Sequence, residues 1–348
     1  RVQAGEARGG PHGYAISDLL LNYADGPARR GLVGEVALYL GEVFGGAPAY
    51  WGVGLMLAAT AALVALAVRL FARMPDDMAL LPLVLGPAGL MFFVYDPGAA
   101  LRKEILGLLS VAMVLQGAFA GPAGQRLWTG GGAALLLASL FAHEGLVFLG
   151  PAFLLALFVV ARARPGAARW CLGLGLGSAL ASVAAVAWIA GLPPPDPDRV
   201  GAAAGLEKSG GAIISIGERT DAALAFGQVR VRGWSSARHI AVLGGALLAV
   251  APLFALGFDW GRWIVMASLP LALCAAVALA QGRARPVPVL PPAAILAYLG
   301  TWAMPHALLG DVWMGVYFWP ILALTAALCL VVRTLRRAVR RMGVAGSE

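Results

Sequence analysis

Apolar residues form long uninterrupted runs along most of the chain. The runs cover approximately residues 48–68, 78–95, 105–120, 131–142, 145–161, 170–191, 240–258, 263–281, 287–305 and 312–332. A helix needs about 20 apolar residues to cross a hydrocarbon core of about 30 Å, and most of these runs meet that requirement. The pattern therefore predicts an all-α, polytopic membrane bundle of about eight to ten membrane segments, short or re-entrant helices included.

The region from 131 to 161 fits this pattern least well. It is too long for one ordinary span and too short for two. His143 and Glu144 interrupt it near the middle. We therefore expect two short helices that meet inside the membrane at this point, or a single broken helix.

Residues 1–47 contain no apolar run of spanning length. Between Asp18 and Glu35 they mix charged with apolar side chains, which is typical of an interfacial segment. The spacing of the apolar residues then predicts a short amphipathic helix over about 32–44.

The composition excludes a soluble globular domain. Hydrophobic residues make up 60% of the 348 positions, and charged residues make up only 13%, against about 25% in soluble domains. Cys171, Cys274 and Cys329 all lie in apolar runs, so neither a disulfide framework nor a cysteine-based zinc site is indicated. We expect no metal and no cofactor. The net charge of +8 suits anionic lipid headgroups, and it calls for no nucleic-acid partner.

Basic residues beside the spans predict the orientation of the chain, because cytoplasmic loops are enriched in arginine and lysine. Three groups of arginines lie beside the spans. Arg69 and Arg73 follow the first span, and Arg162, Arg164 and Arg169 lie between the fifth and sixth. The third group follows the last span and consists of Arg333, Arg336, Arg337, Arg340 and Arg341. With these groups in the cytoplasm, the N-terminal segment, the 102–104 charges and the 143–144 junction all lie together on the opposite side.

The second half of the chain contains an odd number of candidate spans between two cytoplasmic groups. One segment must therefore be re-entrant, either 240–258 or the proline-rich 286–310. We favour 240–258, which puts Asp259 and Arg262 on the same side as the other charged sites.

This topology divides the chain into five regions. Residues 1–47 form an extracytoplasmic, interfacial segment, and 48–191 form a first group of membrane helices. Residues 192–238 form a polar, extracytoplasmic loop, which either covers a site or acts as a tether. Residues 239–332 form a second helix group, and 333–348 form a basic cytoplasmic tail.

Charged residues next to membrane spans are the candidates for chemistry, because an ionisable group inside a bilayer costs about 2.5–3.5 kcal/mol. Arg102 and Lys103 precede a predicted helix, where they can bind an anionic group together with the helix N-terminus. Glu104 completes this candidate binding set. In the alternative interpretation, the three residues anchor the membrane edge and Glu104 pairs locally.

His143 and Glu144 are the candidate catalytic residues. A histidine of ordinary pKa exchanges protons near neutral pH, and a carboxylate in a dry environment can assist it. In the alternative interpretation, His143 hydrogen-bonds across helices and Glu144 caps the following helix.

Asp259 and Arg262 form a third candidate pair. Arg262 would contact phosphate, and Asp259 would orient it or act as a base. Alternatively, the two residues pair with each other in a tight turn between spans. His306 is a further candidate for substrate binding.

These features resemble bacterial polysaccharide polymerases of the O-antigen and exopolysaccharide kind. The resemblance rests on the general layout, on Arg102-Lys103-Glu104, on the junction at 140–144 and on Arg29-Arg30-Gly31. It implies a multi-pass enzyme of the bacterial inner membrane, a glycosyltransferase of polysaccharide biosynthesis.

The resemblance also implies a reaction. A growing glycan moves from an undecaprenyl diphosphate carrier, a lipid-linked oligosaccharide, to an acceptor sugar. Arg102, Arg262 and Arg30 would hold the diphosphate, Arg29 would belong to the same substrate-binding set, and His143 or Glu144 would be the base. Membrane lipids would be the other partners.

Two other functions account for the same sequence. A secondary transporter or a carrier of lipid-linked glycans would use prolines to break its helices, and an inverted repeat would favour it. A non-catalytic membrane scaffold would leave the charged sites far apart and exposed to lipid headgroups.

Overall fold

A computed structural model of the protein describes residues 14–74, 89–90, 101–206 and 260–283, with a few separate positions between 327 and 338. This part of the chain is helical, and no strand occurs in it. In chain order, its α-helices are α1 Tyr14–Leu19, α2 Leu32–Phe44, α3 Pro48–Phe71, α4 Glu104–Gln116, α5 Pro122–Ala142, α6 Gly150–Ala163, α7 Ala168–Ala190, α8 Pro197–Ala203 and α9 Trp260–Ala280. Short 3₁₀ helices occupy Gly117–Phe119, Glu144–Leu149 and Pro165–Ala167.

Three of the described helical stretches are long and apolar enough to cross a membrane. They are Pro48–Phe71, Glu144–Ala163 and Pro165–Ala190, with 24, 20 and 26 residues. Glu104–Phe119 and Val265–Ala280 are shorter apolar helices. The predicted all-α class is confirmed for the described residues. The predicted spans 78–95, 240–258, 287–305 and 312–332, and the tail 333–348, lie outside them apart from a few positions.

Helix α4 lies at the centre of the bundle. It packs against α3, α5, α6 and α9, and nearly all its residues are buried. Apolar residues surround its whole circumference, as expected of a core helix. Glycines allow close approach: a β-carbon at Gly107 would lie 2.6 Å from Leu149 Cδ1, and one at Gly132 would lie 2.7 Å from the Ser110 carbonyl oxygen.

Four of the helices have their C-terminal ends at one end of the bundle. The Arg73 side chain donates to Gln116 Oε1 over 3.2 Å. Arg164 and Gln281 both donate to the Ala118 carbonyl, over 3.3 and 3.2 Å. These contacts join the C-terminal ends of α3, α4, α6 and α9 at what we call the arginine end.

The N-terminal ends of the same four helices therefore lie toward the opposite end of the bundle. Helix α9 packs along α4 and α6, so its first turn, which contains Arg262, also lies toward that end. This direction agrees with the arrangement in which Arg262 joins the other charged sites.

The predicted break at His143 is present, but the helix before it is not short. Helix α5 begins at Pro122 and has 21 residues, whereas the apolar run starts only at 131. Proline is well suited to the first helical turn. The Thr129 hydroxyl donates to the Gln125 carbonyl over 2.8 Å, so a polar residue is accommodated without ending the helix. The predicted amphipathic helix over 32–44 is confirmed as α2.

Candidate functional site

Seven ionisable side chains from four separate parts of the chain meet at the end of the bundle opposite the arginine end. We call them the charge cluster: Asp18, Arg29, Arg30, Lys103, Glu104, His143 and Glu144. The predicted meeting of the N-terminal segment with the 102–104 and 143–144 sites is therefore present. Three cations and three carboxylates balance each other when His143 is neutral.

Glu144 binds both arginines of the N-terminal segment. Arg29 donates to Glu144 Oε1 over 2.7 Å. Arg30 donates from Nη2 to Oε1 and from Nε to Oε2, each over 2.9 Å. This two-pronged geometry is the strongest form of an arginine–carboxylate contact. It holds Glu144 as a carboxylate whose lone pairs are engaged, so Glu144 is better suited to orient the arginines than to accept a proton.

Lys103 lies deepest in the cluster, with its side chain completely buried. Its Nζ donates to the Arg30 carbonyl over 2.9 Å and lies 3.6 Å from Asp18 Oδ2. Asp18 is buried too, and no described group hydrogen-bonds to its Oδ1. Lys103 thus links the start of α4 to the end of α1 and to the loop before α2.

His143 ends α5 in an extended conformation with φ of −161°. Its Nδ1 accepts a hydrogen bond from the Gly145 amide over 3.0 Å, so His143, and not Glu144, caps the following helix. An accepting Nδ1 leaves the proton of the neutral ring on Nε2. That nitrogen lies 3.7 Å from Glu104 Oε1. The ring can therefore donate toward Glu104, while it accepts a proton at Nδ1 only if the cap opens.

Arg30 has a left-handed backbone, with φ of +62°. A residue with a β-carbon in this region stores about 1–3 kcal/mol of strain and needs the surrounding contacts to hold it. Here the contacts are on both sides of the residue, because its carbonyl meets Lys103 and its guanidinium meets Glu144. The strained turn directs the backbone and the side chain of one residue into the cluster.

Two glycines fix the position of this turn. A β-carbon at Gly31 would collide with the Tyr23 ring, and one at Gly34 would collide with the Leu21 carbonyl oxygen. Helix α2 therefore contacts the backbone that follows α1 directly. Burial raises the pKa of Tyr23 to about 12, with the nearby Glu35 carboxylate adding to the rise.

Part of the predicted polar loop 192–238 contacts the N-terminal segment. The Asn22 side chain donates to the Val200 carbonyl over 3.0 Å. Asp25 accepts from the Asp196 amide over 2.8 Å and from Arg199 over 2.9 Å. The Asp196 amide is the main cause that lowers the Asp25 pKa below its ordinary value. The described start of the loop, including α8, thus holds the segment that carries the two arginines.

The other predicted site residues are distributed differently. Arg102 is half-buried directly before Lys103. Arg262 lies in the first turn of α9, but its side chain is not described. Asp259 and His306 lie outside the described residues. Whether the side chains of Arg262, Asp259 and His306 join the cluster stays a prediction.

Asp18 was not predicted as a member of the site, although the sequence contains a usable signal. Asp18 and Asn22 flank Leu19-Leu20-Leu21 at a spacing of four residues. Polar side chains on both sides of an apolar triplet indicate buried polar groups, which need partners. Here the partners are Lys103 for Asp18 and the Val200 carbonyl for Asn22.

No protein-family model, no curated protein and no solved structure matches this chain. The chemistry of the site therefore rests on its own residues. The described part of the chain contains no group of three or more histidine, cysteine, aspartate or glutamate side chains that could hold a metal ion. The cluster offers instead two partly exposed guanidinium groups, a buried ammonium group and an imidazole–carboxylate pair.

Proposed function

We propose that the protein is a polytopic glycosyltransferase of the bacterial inner membrane. It polymerises undecaprenyl-diphosphate-linked glycans for the cell surface. The observation that supports this function best is the meeting of Arg29, Arg30 and Lys103 with His143 and Glu144 in one cluster. The cluster lies at one end of helices with the length and composition of membrane spans.

The position of the three cations favours a ligand over a purely structural role. The N-terminal end of a helix carries a partial positive charge, which stabilises anions and disfavours cations. Lys103 occupies the N-cap of α4, and Arg29 and Arg30 lie just before α2. Carboxylates neutralise these cations in the cluster, but the guanidinium groups of Arg29 and Arg30 stay partly exposed. A diphosphate group is the type of ligand that two exposed guanidinium groups beside helix N-terminal ends bind.

In the proposed reaction, an acceptor hydroxyl attacks the anomeric carbon of the carrier-linked glycan. The new bond forms between that carbon and the acceptor oxygen, while the bond from the carbon to the phosphate oxygen breaks. The diphosphate leaves with the electron pair, and Arg29 and Arg30 stabilise its charge. Glu144 orients these two arginines. The carboxylate of Glu104 receives the hydroxyl proton, and the Nε2–H of His143, 3.7 Å from Glu104 Oε1, helps to position that carboxylate.

The convergence also favours this function over the scaffold alternative. A scaffold would leave the charged sites apart, whereas Lys103-Glu104 and His143-Glu144 meet in the described structure. Transport or flipping of a lipid-linked glycan would use the same cations. It would move the repeat unit without joining it to another, so the product distinguishes the two functions.

The decisive experiment measures glycan polymers in cells and in membranes supplied with the lipid-linked repeat unit. Arg29→Ala and Arg30→Ala each remove one contact to the leaving group, and we expect turnover to fall by about 10²–10³-fold. Single repeat units should accumulate on the carrier. Arg126→Ala is the matched control, because Arg126 is exposed near the start of α5, away from the cluster.

Undiminished polymer length in Arg29→Ala, Arg30→Ala and His143→Ala, at normal expression, would overturn the proposed function. Loss of lipid-linked glycan from the outer face without any change in chain joining would instead identify a transporter.

A further inference from the structure

Helix α2 exposes an apolar stripe next to the charge cluster. Val36, Tyr39 and Val43 follow each other at helical spacing, so they lie on one face. They are 37%, 62% and 53% exposed. The buried residues of the helix are Val33, Gly34 and Ala37. Large apolar side chains exposed in such a row indicate a surface that binds an apolar ligand, a membrane or another protein.

The charges of α2 indicate which kind of partner covers the stripe. The helix contains Glu35 and Glu42 and no lysine or arginine, so an anionic bilayer surface does not attract it. A second copy of α2 would bring the same two glutamates against their counterparts. The nearest cations are Arg29 and Arg30, directly before its first turn. A matching ligand therefore has an anionic group at one end and a long apolar tail.

We propose that the α2 stripe, defined by Val36, Tyr39 and Val43, binds the isoprenoid tail of the undecaprenyl diphosphate carrier. The tail leaves the diphosphate at Arg29 and Arg30 and follows α2 away from the cluster. The helix has 13 residues and is about 20 Å long at 1.5 Å per residue, enough for several isoprene units. The inference rests on the proposed function for the identity of the headgroup.

The loop before α2 makes this path continuous. Arg29 and Arg30 are partly exposed, with side chains 12% and 21% accessible. Gly31 and Gly34 hold α2 against the N-terminal segment. The arginines and the stripe therefore belong to one continuous stretch of chain, which these two close contacts hold against the N-terminal segment.

The experiment measures binding of labelled undecaprenyl diphosphate to the full-length protein in phosphatidylcholine nanodiscs. Val36→Ser combined with Val43→Ser removes the apolar stripe at exposed positions. We expect affinity to fall about tenfold, in line with the apolar area lost. Leu172→Ser with Leu176→Ser is the matched control, because these leucines of α7 are 64% and 59% exposed and lie outside α2. Affinity for dimethylallyl diphosphate, which lacks a long tail, should change in neither variant.

A photoreactive isoprenyl diphosphate with a diazirine in its tail gives a second measurement on the unmodified protein. We expect labelled peptides to contain residues 32–44 and the label to be displaced by undecaprenyl diphosphate. Undecaprenol, which lacks the diphosphate, should compete at least tenfold less well.

The outcomes separate this inference from the function on which it rests. Equal affinity of the α2 variant and the unmodified protein, or label confined to α7, would overturn the path along α2 and leave the polymerase intact. If binding depends on α2 but no polymer is synthesised, the proposed polymerase function would be wrong, whereas the binding of the tail along α2 would stand. Absence of undecaprenyl diphosphate binding in the unmodified protein would overturn both.

Discussion

The two ends of the helix bundle handle their charges in different ways. At the arginine end, Arg73 and Arg164 contact neutral groups in the described structure: the Gln116 amide oxygen, the Ala118 carbonyl and the Phe119 ring. In the charge cluster, Arg29, Arg30 and Lys103 meet carboxylates. At the arginine end, single cations contact carbonyl groups or an aromatic ring, whereas in the charge cluster the cations form ion pairs.

The directions of the helices explain why the arginine end needs no carboxylates. Helix C-terminal ends carry partial negative charge, so arginines are stabilised at the arginine end without any carboxylate. Helix N-terminal ends favour the carboxylates Glu104 and Glu144, which occupy first turns. They disfavour the cations that also occur there. The cations of the cluster therefore depend on its carboxylates, whereas the arginines at the other end do not. Arg29 and Arg30, which stay partly exposed, are the cations that we propose for the diphosphate.

The largest expected effect comes from Lys103. Lys103→Met leaves Asp18 buried without its cation, and removal of one partner from a buried pair costs about 3–5 kcal/mol. The double variant Asp18→Leu with Lys103→Met replaces the pair by apolar side chains and should recover most of that loss. Thermal unfolding of the purified protein in detergent measures both.

The matched variant at the other end is Arg73→Met. It loses one hydrogen bond and the contact with the Phe119 ring, for which we expect about 1–2 kcal/mol. If Arg73→Met were as destabilising as Lys103→Met, or the double variant no better than the single one, the contrast between the two ends would not hold.

A smaller effect is expected from Gly34→Ala. The added β-carbon would collide with the Leu21 carbonyl oxygen and lie 2.6 Å from the carbonyl carbon, so α2 must shift away, at a cost of about 1–3 kcal/mol. The shift also displaces Arg29 and Arg30, and polymer synthesis should fall with stability.

Gly54→Ala in α3 is the control for Gly34→Ala, because no atom lies within 4 Å of the added carbon. The better helix propensity of alanine should stabilise this variant slightly. A normal unfolding temperature in Gly34→Ala would contradict the direct contact between α2 and the backbone after α1.

The smallest effect concerns Asp25 at the edge of the N-terminal segment. The hydrogen bond from the Asp196 amide lowers the Asp25 pKa, so its contribution to stability is complete above the ordinary carboxyl pKa of about 3.9 and is lost as pH falls through the lower folded value. The contacts of α8 should loosen only in that acidic range.

Hydrogen exchange of the Asp196 amide, corrected for the intrinsic rate, measures this loosening. Asp25→Ala should reduce protection about twofold to fivefold at neutral pH and should remove the acidic transition. Asp198→Ala, which alters an exposed carboxylate of the same helix, should leave both unchanged. A transition that persists in Asp25→Ala would assign it to another group.

The apolar pattern predicted the long helices of the described chain, but not the short helices α1 and α8. Helix α2 and the break at His143 were predicted because apolar spacing and interrupting charges are local signals. The true start of α5 was missed because Gln125 and Thr129 interrupt the apolar run, although the Thr129 hydroxyl is satisfied inside the helix by the Gln125 carbonyl.

The partners inside the cluster could not be predicted in the same way. Asp18 and Lys103 are 85 positions apart in the sequence, and their ion pair depends on how α1 and α4 pack. In the alternative interpretation of the sequence, Glu144 was the cap of the helix after His143. The backbone at His143 places the imidazole in that position, which frees Glu144 for the arginines.

The turn before α2 combines the cations of the cluster and the close backbone contacts of α2 within six consecutive residues. Arg29 and Arg30 supply the cations, and Gly31 and Gly34 allow the chain to fold back on itself. Replacement of any of these four residues removes a contact of the cluster or forces two segments apart. We therefore expect homologues to share two arginines, a glycine, two variable residues and a glycine, with an aspartate 11 positions before the first arginine. This hexapeptide with its distant aspartate is a pattern by which related sequences can be sought even where the apolar spans have little sequence in common.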